Sequence, residues 1–234
     1  MMAILSPVLT TLMMCFLCTG VSYTQTNVIH SIIFNPTFGN SRLVPNESYY
    51  KINNSDSIQI QTLKMYISKI QFLENNTVVY EEENSFHLID VNDEKSLVID
   101  CSVLSAVKFN QISFAIGIDS NTNVSGAMGG VLDPTRGMYW TWQSGYINFK
   151  LEGKSNLCRT RNNEFQFHIG GYLLPFTTLQ TVTLNANQNR QITIDIDLKK
   201  LIDDVDLAKL NHIMSPSKEA ALFSEKTMKI FSVH

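Results

Sequence analysis

LDPTRGMYWTWQSGYINFKLEG, running from Leu132 to Gly153, decides how the rest of the chain is read. It holds both tryptophans, the glycines Gly137, Gly145 and Gly153, and one clear strand. Asp133-Pro134 with Gly137 is turn chemistry, because proline presets φ and glycine supplies angles closed to other residues. From Tyr146 the pattern alternates, with Ile147, Phe149 and Leu151 expected on one face and Asn148 and Lys150 on the other. That is the period of a strand with one side on a core. Trp140 and Trp142, two residues apart in an extended chain, are expected to share a face as large core or rim side chains.

Upstream, strand signals recur with turn residues between them and without a helical period. Val28 to Phe34 reads as a strand ending at Asn35-Pro36. Ile58 to Leu73 carries apolar residues at even positions (Ile58, Ile60), then odd (Leu63, Met65, Ile67), then even again (Ile70, Phe72), which predicts two β-bulges in one long strand. Glu74-Asn75-Asn76 predicts a hairpin into Thr77 to Tyr80. Phe86 to Val91, Leu97 to Ile99 and Ile112 to Gly117 continue the series, and Ile118 to Gly130 reads as a polar loop.

Downstream, Phe165, Phe167 and Ile169 alternate against Gln166 and His168, so His168 is expected off the apolar face. Val182 to Leu184 and Ile192 to Leu198 are predicted strands joined by a polar hairpin loop, Asn185 to Arg190. Ser215-Pro216-Ser217 is a helix-start signal for Lys218 to Lys229, apolar at Ala221, Leu222 and Met228. The expected fold class is all-β, an antiparallel β-sandwich with a short C-terminal helix.

With 234 residues, 44% of them hydrophobic, the chain can build a sizeable core, and it shows no linker, repeat or low-complexity segment. A net charge of -3 with no Lys/Arg run argues against a nucleic-acid partner. Residues 1–24 are uncharged, mostly apolar and interrupted by Pro7, too short for a stable membrane span. They read as a secretion signal peptide, leaving residues 25–234 as one domain. The mature chain keeps Cys101 and Cys158. In an oxidising compartment these are expected to pair, a loop closure worth roughly 4 kcal/mol; buried free thiols and soft metal ligands are the alternatives.

Catalytic signatures are missing: there is no G-x-S-x-G, H-E-x-x-H or phosphate-cradling loop, so no enzyme is expected. Asp119, Asn121 and Asn123 have the oxygen spacing that hard cations favour, without the glutamate an EF-hand loop needs. His30, His87, His168, His212 and His234 are the natural metal candidates, since imidazole suits copper and zinc, although none sits at short ligand spacing.

The run GIDSNTNVSGAMGGVLDPTRGMYWTWQSGYINFKLEG, with FHIGG from Phe167, LKMYISKIQFL from Leu63, FHLID from Phe86 and MKIF from Met228, resembles the MbnP-like proteins in order along nearly the whole mature chain. The resemblance implies a β-sandwich that binds copper outside the cytoplasm, in the periplasm or at the outer surface. In some relatives a tryptophan is oxidised to kynurenine and joins two histidines around copper, with a di-haem protein of the MbnH or MauG type as the oxidising partner. Carried onto this sequence, the resemblance makes His87 in FHLID and His168 in FHIGG the copper ligands. Trp140 and Trp142 become oxidation targets or a wall of the site, and Met138 and His212 candidate further ligands. The alternative is a metal-free binding or adhesion module that stacks its aromatic block on sugar or protein.

Overall fold

The structure, a computed structural model, describes residues 27–143 and 145–234. The expected signal peptide, 1–24, lies outside the described residues. The chain opens with β1 (Asn27–Phe38), two short pieces, β2 (Ser41–Arg42) and β3 (Tyr50–Lys51), and the long β4 (Ser57–Glu74). A tight turn leads to β5 (Thr77–Glu81), followed by β6 (Phe86–Asp90), β7 (Val98–Leu104) and β8 (Gln111–Ile116). Helix α1 (Ser120–Val124) precedes β9 (Tyr139–Trp140), β10 (Gly145–Ser155), β11 (Glu164–Gly170), β12 (Gln180–Asn185) and β13 (Gln191–Asp197). The chain ends with α2 (Leu198–Asp203), β14 (His212–Ile213), α3 (Lys218–Thr227) and β15 (Phe231–Val233).

These strands form two sheets. The smaller runs β15-β13-β1-β2, with β7 also on β1; the larger runs β12-β8-β4-β10-β11-β14, with β3, β5 and β6 on β4 and β9 on β10. Most neighbours are antiparallel, as expected, but β1–β13 and β11–β14 are parallel, so both sheets are mixed. Side chains of both sheets fill one core: Ile32 and Phe34 of β1 and Ile194 and Ile196 of β13 meet Met65, Ile67 and Phe72 of β4, Leu151 of β10 and Phe167 of β11.

Both phase slips of β4 are real. Opposite β10, Thr62 pairs with Glu152 and Ile60 with Gly153, so Gln61 is the extra residue. Opposite β8, Ser68 pairs with Ala115 and Gln71 with Ser113, and Lys69 takes the left-handed φ of 52° that lets the strand bulge. The Asn75-Asn76 turn closes the β4–β5 hairpin with φ of 50° and 67°. Both values positive is what a tight hairpin loop needs.

Four expectations about strands and helices need correction. β1 runs through Pro36 to Phe38. A residue's N–H and C=O lie on the same side of a strand, and the Pro36 carbonyl accepts from Leu43 N, away from β13, so the missing donor breaks no pairing with β13. Asn185 to Arg190 is not a hairpin, because β12 lies in the larger sheet and β13 in the smaller. Helix α3 is capped by Ser217 as expected, but buries Ala220, Phe223, Ser224 and Thr227 and leaves Leu222 48% exposed. Finally, Phe149 and Leu151 enter the main core while Ile147 does not, because the β10–β11 register shifts between Ile147 and Phe149. The residue between them, Asn148, is buried; its side-chain oxygen accepts from Ile118 N and its amide donates to Thr178 Oγ1.

Ile147 belongs to a second cluster with Tyr66, Ile118, Leu132, Met138, Trp140 and Tyr146. Tyr66 lies between Met65 and Ile67, both core residues, so this cluster covers the opposite, outer face of the larger sheet. Asp133 accepts from Thr135 N and Gly137 takes φ of 73°, folding the Leu132–Gly153 stretch back onto that face. Cys101 and Cys158 are free thiols buried in the main core, not a disulfide. They pack as small apolar side chains, and burial pushes the Cys101 thiol up to about 12.

Candidate metal centre

His168 lies on β11, 7% exposed, between the core residues Phe167 and Ile169. Strand alternation therefore turns it to the outer face, as expected. Its Nε2 is 2.7 Å from Oε1 of Glu152 on β10. The hydrogen bond from His168 outweighs burial and, with Lys150 nearby, holds the Glu152 carboxyl at about 2. An ionised carboxylate only accepts, so the His168 Nε2 carries the hydrogen, and in the neutral imidazole Nδ1 is the atom with the free lone pair.

His87 makes a similar pair on β6. Its Nε2 is 2.8 Å from Oε2 of Glu82, which also accepts from Ser85 Oγ at 2.6 Å. Burial opposes ionisation of Glu82, but the bonds from His87 and Ser85 prevail and lower its pKa. The two histidines nonetheless face opposite ways. His87 pairs with Ile67, a core residue of β4, whereas His168 pairs with Lys150, which pairs with Lys64 of β4. Positions 64 and 67 lie an odd number apart with no bulge between them, so they present opposite faces.

His212 sits on β14 opposite Gln166 of β11, its neighbour Ile213 in the core, so it shares the outer face with His168. His30 is a core histidine: its Nδ1 lies 2.8 Å from Asn189 O and its ring packs edge-on to Phe109. His234 lies beside Asp195 at 2.8 Å, 72% exposed. Asp119 caps α1 through Thr122 N, and the Asn123 amide is held between Ile118 O and Tyr146 N, so the cation-like spacing there is spent on local structure.

The aromatic block meets FHIGG at Gly170. A Cβ on that residue would lie 2.7 Å from the Trp140 ring and 2.5 Å from Tyr146 O, so only glycine admits the indole there. Trp140 is 6% exposed and its Nε1 has no hydrogen-bond partner. Trp142 touches it at a ring-centroid distance of 5.9 Å but is 66% exposed. Met138 is fully buried in the same apolar cluster.

The MbnP family pattern matches residues 26–215. The chain belongs to the MbnP family. A solved structure, MbnP from Methylosinus trichosporium, shares the fold with a TM-score of 0.61 at 11% identity, covering 82% of this chain and 83% of that one. Among curated proteins none matches the chain.

For an MbnP-family chain the resemblance implied one copper between His87 and His168. These residues do not fit that arrangement: besides facing opposite ways they are separated by three strand spacings, roughly 14 Å, whereas both ring nitrogens must come within about 2 Å of one ion. Among the described residues no three His, Cys, Asp or Glu side chains converge on a metal position. What fits is one-sided, a carboxylate-oriented imidazole on the outer face with His212 close by. Sequence reading missed Glu82, which the short turn between β5 and β6 folds back onto His87, and Glu152, which only strand register brings to His168.

Proposed function

We propose that this protein binds and handles copper outside the cytoplasm, in the periplasm or at the outer surface, as a binding protein and not an enzyme. Family membership supports the metal. The observation that carries it to a residue is the 2.7 Å His168–Glu152 pair. Ligating histidines characteristically donate their other ring N–H to a carboxylate, which fixes the ring and raises its basicity. Copper, when bound, supplies a redox-active ion, and the chain's part is to orient imidazole toward it beside Trp140. A di-haem protein of the MbnH or MauG type is the partner this reading implies, and among the described residues no helix is long and apolar enough to cross a membrane. Titrating the mature protein with Cu(I) and Cu(II) under chelator competition tests the reading: about one bound copper per chain is expected, and none at any protein concentration overturns it.

One observation favours a second reading. Trp142 is 66% exposed and Leu173, Leu174 and Phe176 are 65%, 87% and 38% exposed, on loops brought together where Tyr172 lies against Gly145. Such an uncharged apolar surface suits stacking on sugar or protein. Ligand binding by a protein that takes up no copper would favour it.

A further inference from the structure

Resting on the copper reading above, we propose that the metal position is formed across the β11–β14 edge of the larger sheet by the imidazoles of His168 and His212 and the thioether of Met214, with Glu152 as the positioning residue and His87 outside the site.

The placement follows from register. β11 and β14 are parallel, with Gln166 opposite His212 and Phe167 opposite Ile213. Phe167 and Ile213 both enter the main core. Their strand neighbours, His168 and Gln166 on β11 and His212 on β14, therefore take the outer face, and Met214 is the first residue after β14. His168 and His212 are diagonal neighbours there, with Cα atoms about 8 Å apart by strand spacing and rise, a span two imidazoles bridge to one ion. The last register pair is Phe167 with Ile213, so Met214 follows directly where the chain leaves β14 and His168 is the next residue of β11. The chain holds that path, since a Cβ on Gly171 would lie 3.2 Å from Pro216 Cβ. His212 is exposed and Met214 half-buried, so neither side chain is locked away in the core.

The chemistry is consistent with one class of ion. Imidazole binds copper in either oxidation state, and a thioether adds preference for Cu(I) over harder ions. Glu152 occupies Nε2 of His168 and leaves Nδ1 as its only ligating atom. The Trp140 ring lies over Gly170, two residues along the same face from His168. A copper ion held at His168 is thereby close to a buried indole, and Cu(II) quenches indole fluorescence on contact or near approach.

The experiment is Cu(I) competition against a chromophoric chelator under anaerobic conditions, together with Cu(II) quenching in a Trp142→Phe background, on wild type and on His212→Ala, Met214→Leu, Glu152→Gln and His87→Ala. His212 is exposed and Met214→Leu conserves volume, so both variants are expected to fold. His212→Ala weakens both copper states by about tenfold or more, and Glu152→Gln does so by about tenfold. Met214→Leu weakens Cu(I) more than Cu(II). His87→Ala leaves affinity and Trp140 quenching at wild-type values. Wild-type affinity in both folded His212→Ala and Met214→Leu overturns the site while the copper reading stands. A wild type that binds no copper overturns both.

Discussion

His168 and Glu152 are joined diagonally across β10 and β11, since Lys150 faces His168 and Gln166 faces Glu152. The bond therefore ties the two strands at an offset and depends on Glu152 being ionised. Its carboxyl is depressed from 4.5 to about 2, so the stabilisation it gives is present above the unfolded value near 4.5 and is lost as pH falls toward 2. Glu152→Gln should be less stable at neutral pH by roughly 1–3 kcal/mol and should show a shallower loss of stability between those pH values. Urea midpoints measured across the acid range give the comparison, and identical slopes for wild type and variant would remove the linkage.

Gly170→Ala is expected to unfold the outer-face cluster locally. The new methyl would meet the Trp140 ring at 2.7 Å and Tyr146 O at 2.5 Å, one of them rigid backbone. Overpacking of that kind costs about 1–3 kcal/mol. Thermal melting should show the loss, and tryptophan emission should move to the red as Trp140 leaves its 6% exposed position. An unshifted spectrum at unchanged stability would mean the indole has room to yield.

Thiol chemistry separates the structure from the sequence expectation. Cys101 and Cys158 are each 1% exposed, and burial raises both thiols, Cys101 to about 12. The reactive thiolate is therefore scarce at neutral pH. The unreduced native protein comprising residues 25–234 should label slowly, and its two thiols should react once it is denatured. No reaction after denaturation would restore the disulfide.

What the sequence made legible was local. Two breaks in the alternation of β4 announced two bulges, which the structure places at Gln61 and Lys69, because a period of two leaves no other way to keep apolar residues inside. Alternation also placed His168 off the core face, and Asn75-Asn76 announced its own turn. What failed was pairing between distant strands. His87 and His168 each sit in a motif of their own, yet their relative facing is set by the chain of pairs from β6 through β4 and β10 to β11, which no single stretch encodes. The buried face of α3 was misread for a different reason: Ser224 and Thr227 are buried polar residues, satisfied by Ala221 O and Ser224 O, and they hide the apolar stripe that Ala220 and Phe223 begin.

Lys69 offers the sharpest test of a bulge read from sequence. It is exposed, with φ of 52°, at the point where β4 gains a residue over β8. A residue with a Cβ pays roughly 1 kcal/mol or more for that conformation, whereas glycine adopts it freely. Glycine also gains more freedom in the unfolded chain, which offsets part of the benefit. Lys69→Gly should therefore stabilise the protein by about 0.5 kcal/mol, or about 1–2 °C in melting temperature for a chain of this size. Gln71→Gly, two residues along in regular pairing with Ser113, should do the reverse and cost about 0.5–1 kcal/mol. Opposite signs for the same replacement on one strand would match the difference in backbone conformation between the two positions. Destabilisation of similar size at both positions would mean that the phase slip is accommodated without the left-handed residue.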